Sequence, residues 1–107
     1  MSVITAHADS ATLINVFTVQ PGRARELADL LSQATEDVMQ HIDGFVSANI
    51  HLSTDGTRVV NYAQWRDAEA MQAMQQNPTA REHMVLCAEV ADGFEPKLYT
   101  VESVHEA

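Results

Sequence analysis

Cysteine, basic residues and long apolar runs, which are characteristic of several other classes of protein, are scarce or absent in this sequence. Cysteine occurs once, as Cys87, so the chain can form neither an internal disulfide nor a cysteine-rich zinc site. Lys and Arg total six against fifteen Asp and Glu, and the formal net charge of −9 argues against binding to nucleic acids or anionic membrane surfaces. No apolar run approaches the roughly 20 residues that span a bilayer. We therefore expect neither a nucleic-acid-binding protein nor a membrane protein.

The length of 107 residues suits a single domain, and a hydrophobic share of 46% is sufficient for a packed core. The first residues, MSVITAHADSA, have neither a basic start nor a long apolar stretch, so we expect no secretory signal. We predict a flexible arm over residues 1–11 and one domain over residues 12–107. A lone cysteine fits a reducing compartment, and a cytoplasmic location is expected.

Hydrophobic periodicity divides the first part of the domain into a strand and a helix. Thr12–Val19 is rich in β-branched residues and is followed by Gln20-Pro21-Gly22, which predicts a strand. From Gly22 to His41 apolar residues recur every three or four positions, which predicts an amphipathic helix. Asp43-Gly44 ends this helix, and Gly44 suits the left-handed conformation found after many helices.

A hairpin follows this helix. Asp55-Gly56 lies between the β-rich runs Phe45–Leu52 and Arg58–Trp65, a strong signal for two antiparallel strands.

Two helices and a strand complete the chain. Asp67 and Asn77 are of the residue types that cap helices, and Pro78 suits a first helical turn, so a helix is predicted after each cap. Asp92-Gly93 ends the second of these helices, and we predict the last strand over Lys97–His105.

The resulting order, β-α-β-β-α-α-β, favours an α+β fold of the ferredoxin-like type, with a four-stranded antiparallel sheet and its helices on one face. No helix is left to cover the other face. A second copy of the same sheet is the simplest cover, so we predict a homodimer.

Three residues in the predicted strands could form a binding site. Asn61 and Trp65 lie four positions apart on one strand, so they share a face about 13 Å apart and could bracket a flat, multi-ring ligand. Because Asn is disfavoured in mid-strand, Asn61 either bonds a nearby loop or helix end or donates to a ligand oxygen. Trp65 is either a core anchor or a second donor. Asn15, in mid-strand on the first strand, is either a satisfied structural amide or part of a polar pocket under the helices.

The helices give weaker signals. The spacing of the five histidines forms no metal cluster, and His83 is the strongest candidate for a ligand or base because it adjoins the apolar face of its helix. Arg81 is interpreted as part of the solvated surface, and Cys87 as inert packing. Four methionines favour core packing, with a pocket for a flat aromatic ligand as the alternative: Met39, Met71, Met74 and Met84.

The segment STDGTRVVNYAQWRDAEA (residues 53–70), with Pro21-Gly22, Gly44-Phe45 and Asn77-Pro78, resembles the antibiotic biosynthesis monooxygenase family. The resemblance covers nearly all of residues 12–105 and is closest to actinomycete members that oxidise polyketide anthrones to quinones. It implies a dimeric α+β barrel with an active site between each sheet and its own helices. It also implies a reaction without metal or flavin, in which the substrate loses a proton, the carbanion reduces O2, and a peroxide collapses to the quinone.

The resemblance also implies roles for individual residues. Family members bind the substrate's oxygens through the Asn and Trp of the NYAQW segment, which makes Asn61 and Trp65 the expected catalytic residues. The family's pocket tyrosines fall at Ile50 and Met71, and its arginine on the last helix falls near Met84, with Arg81 one turn earlier. The residues expected to contact substrate are Asn15, Ile50, Met71, Met74, Arg81, His83 and Met84.

Two other functions are compatible with the same resemblance. Heme-degrading relatives place an Asn and a His where this chain has Asn15 and His83, so a heme-binding protein with His83 as the iron ligand is the first alternative. Their tryptophan on the second helix falls at Met74. The second alternative is a catalytically silent module whose pocket is filled by side chains: Met71, Met74, Met84 and Trp65.

Overall fold

Residues 2–6 and 9–107, which the computed structural model describes, form a four-stranded antiparallel sheet and three α-helices. The strands lie in the order β2-β3-β1-β4. Their bounds are β1 Ala11–Thr18, β2 Phe45–Leu52, β3 Arg58–Trp65 and β4 Gly93–Tyr99. The helices are α1 Ala24–Asp37, α2 Ala68–Gln76 and α3 Pro78–Val90. The predicted element order and the ferredoxin-like α+β class are confirmed.

The helix caps and the hairpin are formed by the residues predicted for them. The Asp67 carboxylate accepts a hydrogen bond from the Ala70 N–H at 2.8 Å at the start of α2, and the side-chain Oδ1 of Asn77 accepts one from the Ala80 N–H at 3.0 Å at the start of α3. Both caps satisfy donors that a helix leaves unpaired. In the hairpin Gly56 has a φ of 75°, which glycine adopts without strain.

The first helix is shorter than predicted. The periodic segment Gly22–His41 contains α1 in its middle, with 3-10 turns at Pro21–Arg23 and Met39–His41 on either side. Val38 has φ −128° and ψ −64°, outside helical values, so the α-helix ends before it.

The last strand begins and ends earlier than predicted. The prediction was Lys97–His105, whereas β4 is Gly93–Tyr99. β4 pairs with β1 from Thr18 opposite Gly93 to Thr12 opposite Tyr99. Because β1 begins at Ala11, residues 100–107 have no strand left to pair with and form no regular structure.

Gly44 allows the turn before β2 to pack closely against α2. Its φ is 90°, and a Cβ added there would collide with the Cβ of Ala70. The glycine therefore meets both a conformational and a spatial requirement.

The helices pack on one face of the sheet and divide its core into two clusters. The first cluster joins β1 and β3 to α1 and α3 and includes Phe17, Leu27, Val59 and Cys87. The second surrounds Trp65 at the end of β3, with side chains from α2 and Ala80 of α3. The candidate functional site lies between the sheet and these helices.

The opposite face of the sheet carries apolar side chains that belong to neither cluster. Strand alternation places Ile14, Val16, Val60 and Tyr62 there, and all four are half-buried. The homodimer that would cover this face stays a prediction.

The N-terminal segment contacts the edge of the sheet. The Ser2 hydroxyl donates to Asn49 Oδ1 on β2 at 3.0 Å. That residues 1–11 form a flexible arm stays a prediction, although β1 already begins at Ala11. His7 lies outside the described residues.

Candidate active site

A cavity of about 530 Å³ lies between the inner face of the sheet and the three helices. Its walls are predominantly apolar and come from all four strands and from all three helices. A volume of this size accommodates a small multi-ring molecule. Seven of the nine residues predicted for the site line this cavity: Asn15, Asn61, Trp65, Met74, Arg81, His83 and Met84.

The sheet places two amides side by side on the cavity floor. Asn15 of β1 is directly opposite Asn61 of β3 in the antiparallel register, so both side chains point to the same face. Trp65 follows Asn61 by four residues on that face, as the alternation predicted. Its indole packs edge-on against Phe45 of β2, with ring centroids 5.4 Å apart and planes at 87°. This contact fixes the orientation of the indole at one end of the floor.

These three side chains have buried polar atoms without partners. Asn15 Oδ1, Asn61 Oδ1 and Trp65 Nε1 are shielded from solvent, yet none has a hydrogen-bond partner among residues 2–6 and 9–107. The sequence left open whether Asn61 bonds a loop or helix end, and no such bond forms. Leaving a buried polar group unpaired costs about 1–3 kcal/mol, and a ligand that bonded these three atoms would offset that cost.

The unpaired atoms determine which hydrogen-bonding groups such a ligand must carry. Trp65 Nε1 can only donate, so it requires an acceptor such as a carbonyl or phenolate oxygen. Each amide presents an oxygen or, after rotation about χ2, an NH2 group. The floor therefore suits a flat molecule with oxygens along one edge, and the Asn61 and Trp65 donors would stabilise negative charge on such an oxygen.

Helix α3 forms one side of the cavity. Arg81, His83 and Met84 all line it, although Arg81 and Met84 are largely exposed. Cys87 lines it one turn further along, and burial raises the pKa of its thiol to about 11. The thiol is therefore protonated near neutral pH, which agrees with the predicted packing role and not with a nucleophile.

Two of the predicted contact residues lie outside this cavity. Met71 is buried with Trp65 in the second core cluster, where it supports the cavity wall from behind. Ile50 packs against the first core cluster and borders a separate shallow hollow between α1 and β2. Both positions were inferred from where the family places tyrosines, and the shorter side chains here turn into the core. His51, the next residue of β2, is paired with Val60, so strand alternation turns its side chain away from the cavity.

Sequence reasoning missed the apolar walls that complete the cavity. Leu13, Phe17 and Phe94 reach it from β1 and β4, and α1 contributes Leu31 and Thr35. The alternation of β1 does place Leu13 and Phe17 on the face of Asn15. The sequence could not predict that Phe94 lines the cavity, because the predicted last strand did not include it.

In the described parts of the chain, no three His, Cys, Asp or Glu side chains are grouped closely enough to ligate a metal ion. The same ranges contain no helix long and apolar enough to cross a bilayer.

Comparisons with known proteins identify the family. The sequence profile of the family described as antibiotic biosynthesis monooxygenase matches residues 10–85. The chain therefore belongs to the antibiotic biosynthesis monooxygenase family and is a monooxygenase, which confirms the resemblance found in the sequence.

Individual relatives support this membership. Over 105 residues the chain is 46% identical to the tetracenomycin-F1 monooxygenase of Streptomyces glaucescens, covering 98% of this chain and 91% of that protein. The monooxygenase from ActVA-Orf6 of Streptomyces coelicolor, solved with nanaomycin D, superposes with a TM-score of 0.84 at 26% identity, covering 92% of each chain. The cofactor-independent oxygenase SnoaB of Streptomyces nogalater shares the fold, with a TM-score of 0.81 at 23% identity over 91% of this chain and 97% of that one.

Proposed function

We propose that this protein is a cofactor-independent monooxygenase that oxidises a polycyclic phenol, anthrone or quinol with O2 to a quinone. The observation that carries the proposal is the set of unpartnered polar atoms of Asn61 and Trp65 on the floor of an apolar cavity. Such a cavity binds the rings, while the donors act where charge develops on a substrate oxygen.

Each step of this reaction can be assigned to the substrate, O2 or the cavity. For an anthrone, the ring methylene loses a proton and the charge moves to the carbonyl oxygen as an enolate. Asn61 Nδ2 would donate to that oxygen, and Trp65 Nε1 would donate to an oxygen further along the conjugated ring system that shares the charge, so both lower the energy of the anion. The carbanion then transfers electrons to O2, a carbon–oxygen bond forms, the peroxide anion takes up a proton, and the resulting hydroperoxide loses water to give the quinone. One oxygen atom enters the product and the other leaves as water.

The relatives support the choice of substrate class. The Streptomyces glaucescens enzyme is named for tetracenomycin F1, and the Streptomyces coelicolor enzyme was solved with nanaomycin D. We extend this to a polyketide-derived aromatic substrate for the present chain.

Oxygen uptake by the purified protein tests this function. We expect metal-free, colourless protein to consume O2 with an anthrone or hydroquinone, and Asn61→Ala and Trp65→Phe to lower kcat by about 10²-fold each, as for loss of one oxyanion donor. Asn49→Ala is the matched control, because Asn49 lies on the neighbouring strand and bonds Ser2 outside the cavity. Full activity in both site variants would remove these residues from the mechanism.

Heme binding is the second candidate, because His83 and Asn15 line the same cavity. Met74 lines the cavity where heme-degrading relatives carry a tryptophan, so we place this function second and expect added hemin to give no shift of its Soret band. A Soret shift that disappears in His83→Ala would instead favour the heme-binding function.

We also propose that two copies associate through the sheet face opposite the helices. Ile14, Val16, Val60 and Tyr62 give that face the apolar, β-branched and aromatic character typical of packed sheets. Sedimentation should give a mass about twice 11.8 kDa, and Val16→Glu should reduce it to the single-chain value. A single-chain mass for the unmodified protein at micromolar concentration would contradict the dimer.

A further inference from the structure

Among the residues that the structure describes, Arg81 is the one Lys or Arg side chain that lines the cavity. The chain has six Lys and Arg residues in total, and of these Arg81 alone contributes to the cavity lining. It lies in the first turn of α3 and is exposed, so its guanidinium is at the rim and not on the floor.

Among the described residues Arg25, Arg58 and Arg81 lack an ion pair with a carboxylate, and of these three Arg81 is the one that lines the cavity. Arg23, Arg66 and Lys97 each lie within 3.3 Å of a carboxylate. No carboxylate within the described ranges forms an ion pair with Arg81. In a chain with a formal charge of −9, an unpaired guanidinium at a cavity rim is a local site for an anion.

The floor of the cavity is a poorer place for a permanently ionised group. Its polar groups, on Asn15, Asn61 and Trp65, are neutral donors and acceptors, so they stabilise charge that develops on a ring oxygen during reaction but supply no counterion for a carboxylate. Some ligands have both a neutral ring edge with oxygens and an ionised group. Such a ligand would place its ring edge on the floor and its ionised group at the rim, beside Arg81.

We propose that Arg81 determines specificity by binding a carboxylate substituent on the polycyclic substrate. The guanidinium matches a carboxylate with two parallel hydrogen bonds, whereas a neutral substituent offers no comparable partner. This inference rests on the proposed function, since it assumes that the rings occupy the cavity.

Binding of two matched ring compounds can test this without turnover. Trp65 is the only tryptophan and forms part of the cavity, so quenching of its fluorescence reports ligand entry. We would compare anthraquinone-2-carboxylate with 2-(hydroxymethyl)anthraquinone, which differ mainly in charge. We expect the carboxylate to bind about 2- to 5-fold more tightly at low salt, as for a partly exposed ion pair, and high salt to reduce this preference.

Variants separate recognition by Arg81 from a general charge effect. Arg81→Gln should abolish the preference for the carboxylate without changing the affinity for the neutral compound, and Arg81→Lys should retain part of it. Arg58→Gln removes the same charge from an exposed residue outside the cavity and should leave the preference unchanged. In oxygen-uptake assays Arg81→Gln should raise KM for a carboxylated anthrone and leave kcat unchanged.

The outcomes distinguish this inference from the function on which it rests. If both compounds bind equally, or if Arg81→Gln weakens both alike, the inference is wrong and the aromatic cavity stands. If a ring compound that carries only a phenolate gains the same Arg81-dependent affinity, the assignment to a carboxylate is wrong. If neither anthraquinone quenches Trp65, the proposed function fails and the inference fails with it.

Discussion

Replacing Asn61 with leucine should stabilise the ligand-free protein and abolish its activity. The two side chains have the same branching and number of heavy atoms, but leucine has no polar atom to leave unpaired. Asn61 Oδ1 is buried and has no hydrogen-bond partner in the described chain. The substitution therefore removes a desolvation cost that the folded protein bears when no substrate is bound.

The size of this effect follows from the geometry. An unpaired buried carbonyl costs about 1–3 kcal/mol, and leucine also suits a strand better than asparagine. The cavity of about 530 Å³ gives the larger leucine methyl groups room, so little is lost to overpacking. We expect a gain of about 1 kcal/mol in unfolding free energy, or a rise of about 4–8 °C in Tm for a domain of this size.

Thermal melting by circular dichroism measures the stability, and oxygen uptake measures the activity. Asn49→Leu is the control, because Asn49 lies on the neighbouring strand and accepts a hydrogen bond from Ser2. This control should show no gain in stability. If Asn61→Leu lowers Tm by several degrees, Asn61 makes a stabilising interaction in the free protein and the reasoning from the unpaired oxygen is refuted.

Three further predictions concern the scaffold around the site. Gly44→Ala should destabilise the fold by about 1–3 kcal/mol in urea melts, because its φ is 90° and its Cβ would collide with Ala70, whereas Gly93→Ala has open space and should change little. Hydrogen bonds from the hairpin turn lower the pKa of Asp55 from 3.8 to about 2. The stabilisation from its carboxylate is therefore complete above about pH 4 and is lost as the pH falls towards 2, so the difference in Tm between the parent and Asp55→Asn should shrink over that range. A difference independent of pH would contradict this. Cys87, with a pKa raised to about 11 by burial, should not react with a disulfide reagent at pH 8 until the protein is denatured, and rapid reaction of the native protein would show that it is accessible.

Local patterns in the sequence predicted the order of the elements. The β-branched runs, the Asp55-Gly56 turn and the caps at Asp67 and Asn77 act within a few residues of themselves, so they can be recognised without the fold. The bounds of the last strand could not be predicted in this way. β4 ends opposite the beginning of its antiparallel partner β1, and that limit depends on pairing between distant segments.

The candidate site likewise has one part that local patterns predict and another part that depends on the fold. Strand alternation alone places Asn61 and Trp65 on one face, and both line the cavity. The juxtaposition of Asn15 and Asn61 depends on the register between β1 and β3, which no local pattern specifies. Ile50 and Met71 were placed by their alignment with family tyrosines, and that alignment carries no information about where a different side chain packs.

The position of β1 in the sheet has a consequence for folding. It precedes the other three strands in the chain, yet its neighbours are β3 and β4, so Asn15 meets Asn61 on one side and Pro96 on the other. These separations along the chain mean that β1 cannot complete its hydrogen bonds until β4, at Gly93–Tyr99, has been synthesised. Contacts between residues so far apart in the sequence slow folding, and they leave the β-branched strand β1 temporarily without partners. A nascent chain lacking β4 should therefore be a target for chaperones, and the cavity should be among the last parts of the molecule to form.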